Sequence, residues 1–206
     1  MIFHAPILRE IGRAPLSMHG LVRRALAGLA KRTAPPPERV VVLALGNEKW
    51  GDADAGAQSL ARLKARWVLP AQVELVDGET LGRALVPLLE SASRLIVLSA
   101  LDLQGPPGTL HVLTGDAAAE QLYVRGPKRP GMGFAAALAC AQLAGRVPRE
   151  LVLIGLQPQR GDRHGAQLSP AVAAQLDRAA DVACDWLRRW RVETLARETE
   201  PPARPS

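Results

Sequence analysis

An open, mostly parallel α/β sheet of about five strands is the fold this sequence predicts, on three observations. Continuous aliphatic runs recur at Arg39–Leu45, Arg94–Leu98 and Glu150–Gly155. They lack polar alternation, which is the pattern of parallel strands buried on both faces. Between the runs lie segments with apolar residues at helical spacing, such as Leu60, Leu63 and Trp67. At 206 residues, 48% apolar and 22% charged, the chain is long enough for one α/β domain with a substantial core.

The elements follow in order. Residues 1–38 read as a basic, partly disordered extension. Within it, 20–31 can form a short amphipathic helix with Leu21, Ala25 and Leu29 on one face, while Arg23, Arg24 and Lys31 largely avoid that face. Such a helix suits a membrane surface, a partner, or a loosely packed arm. Pro35, Pro36 and Pro37 make a stiff stop before the domain, which is expected to span 39–192. Ala55–Arg66 reads as a helix, Gln72–Val76 as an alternating strand, and Thr80 as the cap of a helix carrying Leu81, Leu85, Leu88 and Leu89. A short strand, Gly108–Leu113, follows the turn at Pro106 and Pro107. Gly131–Ala144 is a helix of small residues able to pack closely on the sheet. Ser169-Pro170 is a helix start, with Ser as cap and Pro at the first position. That helix is expected to run to about Trp190, with Val172, Leu176, Ala180, Ala183, Leu187 and Trp190 inward. The segment 193–206 is expected to be a disordered tail.

Composition narrows the function. The net charge is +6, but acids and bases are interleaved except in the N-terminal arm and around Arg125–Arg129. No aromatic-interleaved basic stripe accompanies that excess, so nucleic acid is not an expected partner. Cys140 and Cys184 are far apart in apolar helical contexts, which predicts two buried, reduced thiols and no disulfide or zinc site. No apolar run approaches the ~18 residues of a membrane span. Arg9, Arg13, Arg23 and Arg24 interrupt any signal-peptide core, which makes the bacterial cytoplasm the expected location.

In an open α/β sheet, ligands bind beyond the carboxyl ends of the strands. The loops after Leu45, Val76, Leu98 and Gly155 are therefore the expected functional edge. The first runs from Val40 through Gly46-Asn47 and Asp52-Ala53-Asp54 to Gly56: a strand, a tight turn and an acidic loop opening a helix. It resembles the first motif of the [NiFe]-hydrogenase maturation endopeptidases. Three more segments are similar to that family, in the same order. They are Asp77-Gly78-Glu79-Thr80, the stretch Leu95–Thr109 with its Ser99-Ala-Leu-Asp102 and Pro107-Gly-Thr109, and Leu151–Pro158 followed by Leu168–Val172. Together they cover about 39–190 and imply a three-layer α/β/α domain.

The resemblance also implies where nickel ligands would lie: an acid in the first loop, an Asp ending the third strand, and a His ahead of the small-residue helix. By motif register these positions hold Ala53, Ser99 and Lys128. Nickel favours imidazole and carboxylate donors, which none of the three supplies. Asp52, Asp54 and Asp102 are the candidates for a rebuilt acidic site. Read from their residue types alone, Asp52 and Asp54 suit capping of the next helix, and Asp77 and Asp102 suit turns. His111 reads as a packed or edge histidine and His164 as a loop residue near the same edge. The basic loop around Arg125, Lys128 and Arg129 reads as a partner- or anion-binding element, or as an exposed turn.

The family recognises nickel already inserted in the hydrogenase large-subunit precursor and then removes its C-terminal peptide. Two functions from different classes follow: a non-catalytic relative that binds the precursor or another maturation protein as a scaffold, or an endopeptidase working through Asp52, Asp54 or Asp102. A small-molecule-binding α/β domain unrelated to hydrogenase is a third. No resident cofactor and no metal of its own are expected, nickel entering only with the substrate.

Overall fold

The computed structural model describes residues 38–46, 50–78, 81–125, 133–159 and 167–197. Its strands are β1 (Val40–Leu45), β2 (Trp67–Val68), β3 (Val73–Asp77), β4 (Arg94–Ala100), β5 (Leu110–Thr114), β6 (Glu150–Leu156) and β7 (Leu195–Ala196). Its helices are α1 (Ala55–Arg66), α2 (Leu85–Ser91), α3 (Gly115–Arg125), α4 (Phe134–Leu143), α5 (Pro170–Ala173) and α6 (Leu176–Arg189).

Five strands form one sheet in the order β3-β1-β4-β6-β5. The first four run parallel, and β5 closes the edge antiparallel to β6. The three aliphatic runs are thus the adjacent central strands β1, β4 and β6, as expected. Every residue of β1 is buried. Its side chains alternate between two cores. Val40 and Val42 join Ile96, Leu98, Val152 and Ile154 under α1 and α6. Val41 and Leu43 join Leu95, Val97 and Leu153 under α2, α3 and α4. The result is a three-layer α/β/α sandwich built from aliphatic side chains and alanine.

Several elements differ from the sequence expectation. The long C-terminal helix is two: Ser169 caps α5, its Oγ accepting from Val172 N at 3.4 Å, and a turn separates α5 from α6. The expected inner positions from Val172 to Trp190 are all buried nonetheless. The helix expected from Thr80 starts at Leu85, after a 3-10 turn at Gly82–Ala84; Thr80 itself lies outside the described residues. Helix α3 was not foreseen. The tail expected from residue 193 instead contains β7, which pairs antiparallel with β2. Arg197 N donates to Arg66 O at 2.8 Å, and Thr194 Oγ1 accepts from Cys184 Sγ and Arg188 Nε at 3.3 and 3.0 Å. These bonds hold the segment on the α1–α6 face. Cys184 is buried, and burial pushes its thiol up from the ordinary range. Cys140 is exposed, contrary to expectation. The buried face of α4 is Phe134, Ala137, Leu138 and Ala141, which leaves position 140 outward. The expected N-terminal extension lies outside the described residues.

Candidate functional site at the carboxyl edge

The loop after β1 is seated on the strand ends by close backbone packing. A Cβ on Gly56 would stand 2.4 Å from both Leu45 O and Leu98 O, so only glycine lets α1 start there. A Cβ on Gly46 would stand 3.1 Å from Ala53 O. Ala53 lies in a 3-10 turn, Gly51–Asp54, that opens with Gly51 at φ 59°. Ser99 is near the end of β4, paired with Leu45 on one side and Gly155 on the other. The same row continues to His111 of β5. Ala53 and Ser99 are therefore brought to one place, the joint end of β1 and β4. Lys128, Arg129 and His164 lie outside the described residues. Of Arg125 only the main chain, closing α3, is described.

Neither position offers a charged donor: Ala53 presents a methyl group and Ser99 a hydroxyl that is 5% exposed. Among the described residues no three His, Cys, Asp or Glu side chains come close enough to hold a metal ion.

The candidate acids Asp52, Asp54 and Asp102 each accept hydrogen bonds within the fold. Asp52 is 1% exposed, and its carboxylate accepts from Gln159 N at 2.8 Å, Ser169 N at 2.6 Å and Ser169 Oγ at 2.8 Å. Charge-assisted bonds of this kind offset the cost of burying a carboxylate. The expected helix-capping role is not what the side chain does. It ties the first loop to the exit of β6 and the start of α5, more than 100 residues away. Asp54 occupies the cap position of α1 without a side-chain capping bond. Its carboxylate instead accepts from Gln58 Nε2 at 2.7 Å. Asp102 accepts from Gln104 N at 2.8 Å, the turn expected of it, and also from Gln157 Nε2 at 2.8 Å. Asp77 ends β3 opposite Ala44 and is exposed.

Two features of the edge were not legible beforehand. Gln157, 3% exposed, is the hub of the loop between β4 and β5; its Oε1 accepts from Leu103 N and Gly105 N. A glutamine between an apolar strand and Pro158 carries no sequence signal of such a role. His111 is the expected edge histidine, but its Nε2 is buried without a hydrogen-bond partner among the described residues.

A five-stranded, mostly parallel sheet between two helical layers, with a glycine-seated loop opening a helix at its carboxyl edge, defines an open α/β domain that carries its site on that edge. The comparisons make it specific. The family model for HycI, hydrogenase maturation protease, matches residues 58–186. The chain is 40% identical over 157 residues to the hydrogenase expression/formation protein HupD of Rhodobacter capsulatus, covering 76% of this chain and 75% of that one. To HoxM of Cupriavidus necator it is 35% identical over 161 residues, 78% and 80% of the two chains. The hydrogenase maturating endopeptidase HybD from E. coli superposes with a TM-score of 0.70 at 28% identity, covering 77% of this chain and 98% of that one. The chain belongs to the hydrogenase maturation protease family. No helix among its described residues is long and apolar enough to cross a membrane.

Proposed function

We propose that this protein is a cytoplasmic [NiFe]-hydrogenase maturation factor that binds a large-subunit precursor, or another maturation protein, without cutting it. One observation carries the reading. Ala53 and Ser99, which the family motifs align with two nickel-ligating acids, lie at the end of β1 and β4 and supply a methyl group and a hydroxyl in place of two carboxylates. A methyl group and a neutral hydroxyl are poor company for nickel. Asp52, Asp54 and Asp102, the acids nearest in sequence, already receive donors from Gln159, Ser169, Gln58, Gln104 and Gln157. In this reading the protein holds no cofactor of its own, and nickel reaches the edge only inside the partner.

Lys128, Arg129 and Arg125 supply the partner contact, since a chain that has lost two carboxylates at the ligand positions and carries three cations in the loop where the family motif has its histidine favours an acidic partner. Co-purification with a nickel-loaded precursor large subunit tests this. The complex should form, and Lys128→Glu with Arg129→Glu should weaken it more at low salt than at high salt, where charges are screened. Binding untouched by charge reversal at either salt sinks this assignment of the contact.

A further inference from the structure

In the loop after β1 the usual burial order is reversed. Asp52 and Asp54 are buried, while Trp50 is 37% exposed. Carboxylates ordinarily face water and an indole ordinarily packs inside. The three donors from Gln159 and Ser169 offset the cost of burying Asp52. The same bonds fix the turn that carries the tryptophan. Ala53 N donates to Trp50 O at 3.2 Å, Gly51 follows at φ 59°, and Gly51, Asp52 and Asp54 are all buried. The main chain of Trp50 thus belongs to a turn anchored by its own neighbours.

The other three tryptophans behave in the ordinary way. Trp67, Trp186 and Trp190 all pack on the core under α1 and α6. Each has a guanidinium over its ring: Arg188 at 4.5 Å, Arg189 at 4.8 Å and Arg94 at 5.6 Å from the respective centroids. The fourth is displayed three residues before Ala53, in the loop where the family motif has its first ligand. Leaving so large an apolar ring partly in water forfeits stability. Departures of this kind from a local rule are expected at functional sites.

We infer that Trp50 is the apolar anchor by which this edge engages the precursor large subunit. Its indole enters an apolar pocket of that partner, with a hydrogen-bond acceptor at the pocket's mouth for the indole N–H. On the reading that the precursor binds at this edge, on which this proposal rests, Trp50 supplies the apolar part of a contact whose charged part falls to Lys128, Arg129 and Arg125. Interfaces are commonly built that way, with a desolvated apolar centre inside a polar rim, and tryptophan is among the residue types that most often carry the binding energy. An acceptor at the pocket's mouth suits the acidic partner that those cations favour. A turn fixed before binding spares the complex the entropy of ordering it.

Retention of the nickel-loaded precursor by Trp50→Ala tests the anchor. It should fall about thirtyfold or more, the loss that marks a hot spot. The loss should be equal at low and high salt, because apolar contact is not screened, in contrast to reversal of Lys128 and Arg129. A second measurement uses protein carrying fluorine-labelled tryptophan with unlabelled precursor. Its four tryptophans give four fluorine resonances, the Trp50 signal being the one missing from Trp50→Phe. The precursor should move that signal and leave those of Trp67, Trp186 and Trp190 in place. The same three signals, unchanged in Trp50→Ala, report that this variant is folded. A smaller loss in Trp50→Ala, a loss that fades at high salt, or a Trp50 signal that stays put while precursor is retained overturns the anchor alone. A wild-type protein that retains no precursor brings down the partner reading and the anchor with it.

Discussion

The sheet interior and its carboxyl edge are built by opposite rules. In the interior of β1, β4 and β6 the fully buried side chains are aliphatic and the main chain pairs with neighbouring strands. At the edge, buried polar side chains take over what backbone does elsewhere. Asp52 binds the exit of β6 to the start of α5, and Gln157 shapes the loop before β5. A carboxylate at this edge can serve as a structural tie: Asp52 accepts three donors, while the neighbouring position holds alanine, whose methyl group accepts none.

Leu43 is fully buried in the central strand, and Leu43→Ala should cost about 2–5 kcal/mol in chemical denaturation, the range for truncating a core leucine. Asp52→Ala strands two backbone N–H groups and a hydroxyl, which should cost about 3 kcal/mol. A loss below about 0.5 kcal/mol, the level of an ordinary surface change, would return Asp52 to the list of acids available for catalysis. Ala53→Glu, Ser99→Asp and Lys128→His together should create nickel affinity measurable by calorimetry, and the natural chain should show none. Tight nickel binding by the natural chain would contradict the reading of these positions. The smallest effect separates the two thiols. Cys140 should alkylate readily in the folded protein and Cys184 only on unfolding, because burial keeps the latter protonated and covered.

The frame was largely legible in the sequence because aliphatic runs and helical spacing are local signals. Helix α3 escaped because Gly115-Asp116-Ala-Ala-Ala119 has little amphipathic pattern, and its buried contacts reduce to Ala118 and Leu122. Strands β2 and β7 are two residues each, too short to carry a period. Cys140 was misplaced because α4 is apolar on nearly every face, so periodicity could not orient it. At the site, the motif register put Ala53 on the loop after β1 and Ser99 near the end of β4, both at the carboxyl edge. The tasks of Asp52 and Gln157 were hidden because their partners lie 107 and 54 residues away, and only the folded chain brings them into reach.

In the proposed function this chain engages a maturation partner without hydrolysis. The most direct test is the mass of a nickel-loaded large-subunit precursor after incubation with the protein, read with the complex isolated from the same mixture. A precursor of unchanged mass should be recovered together with the protein. A precursor shortened by its C-terminal peptide would contradict it and make Asp52, Asp54 and Asp102 the first residues to replace.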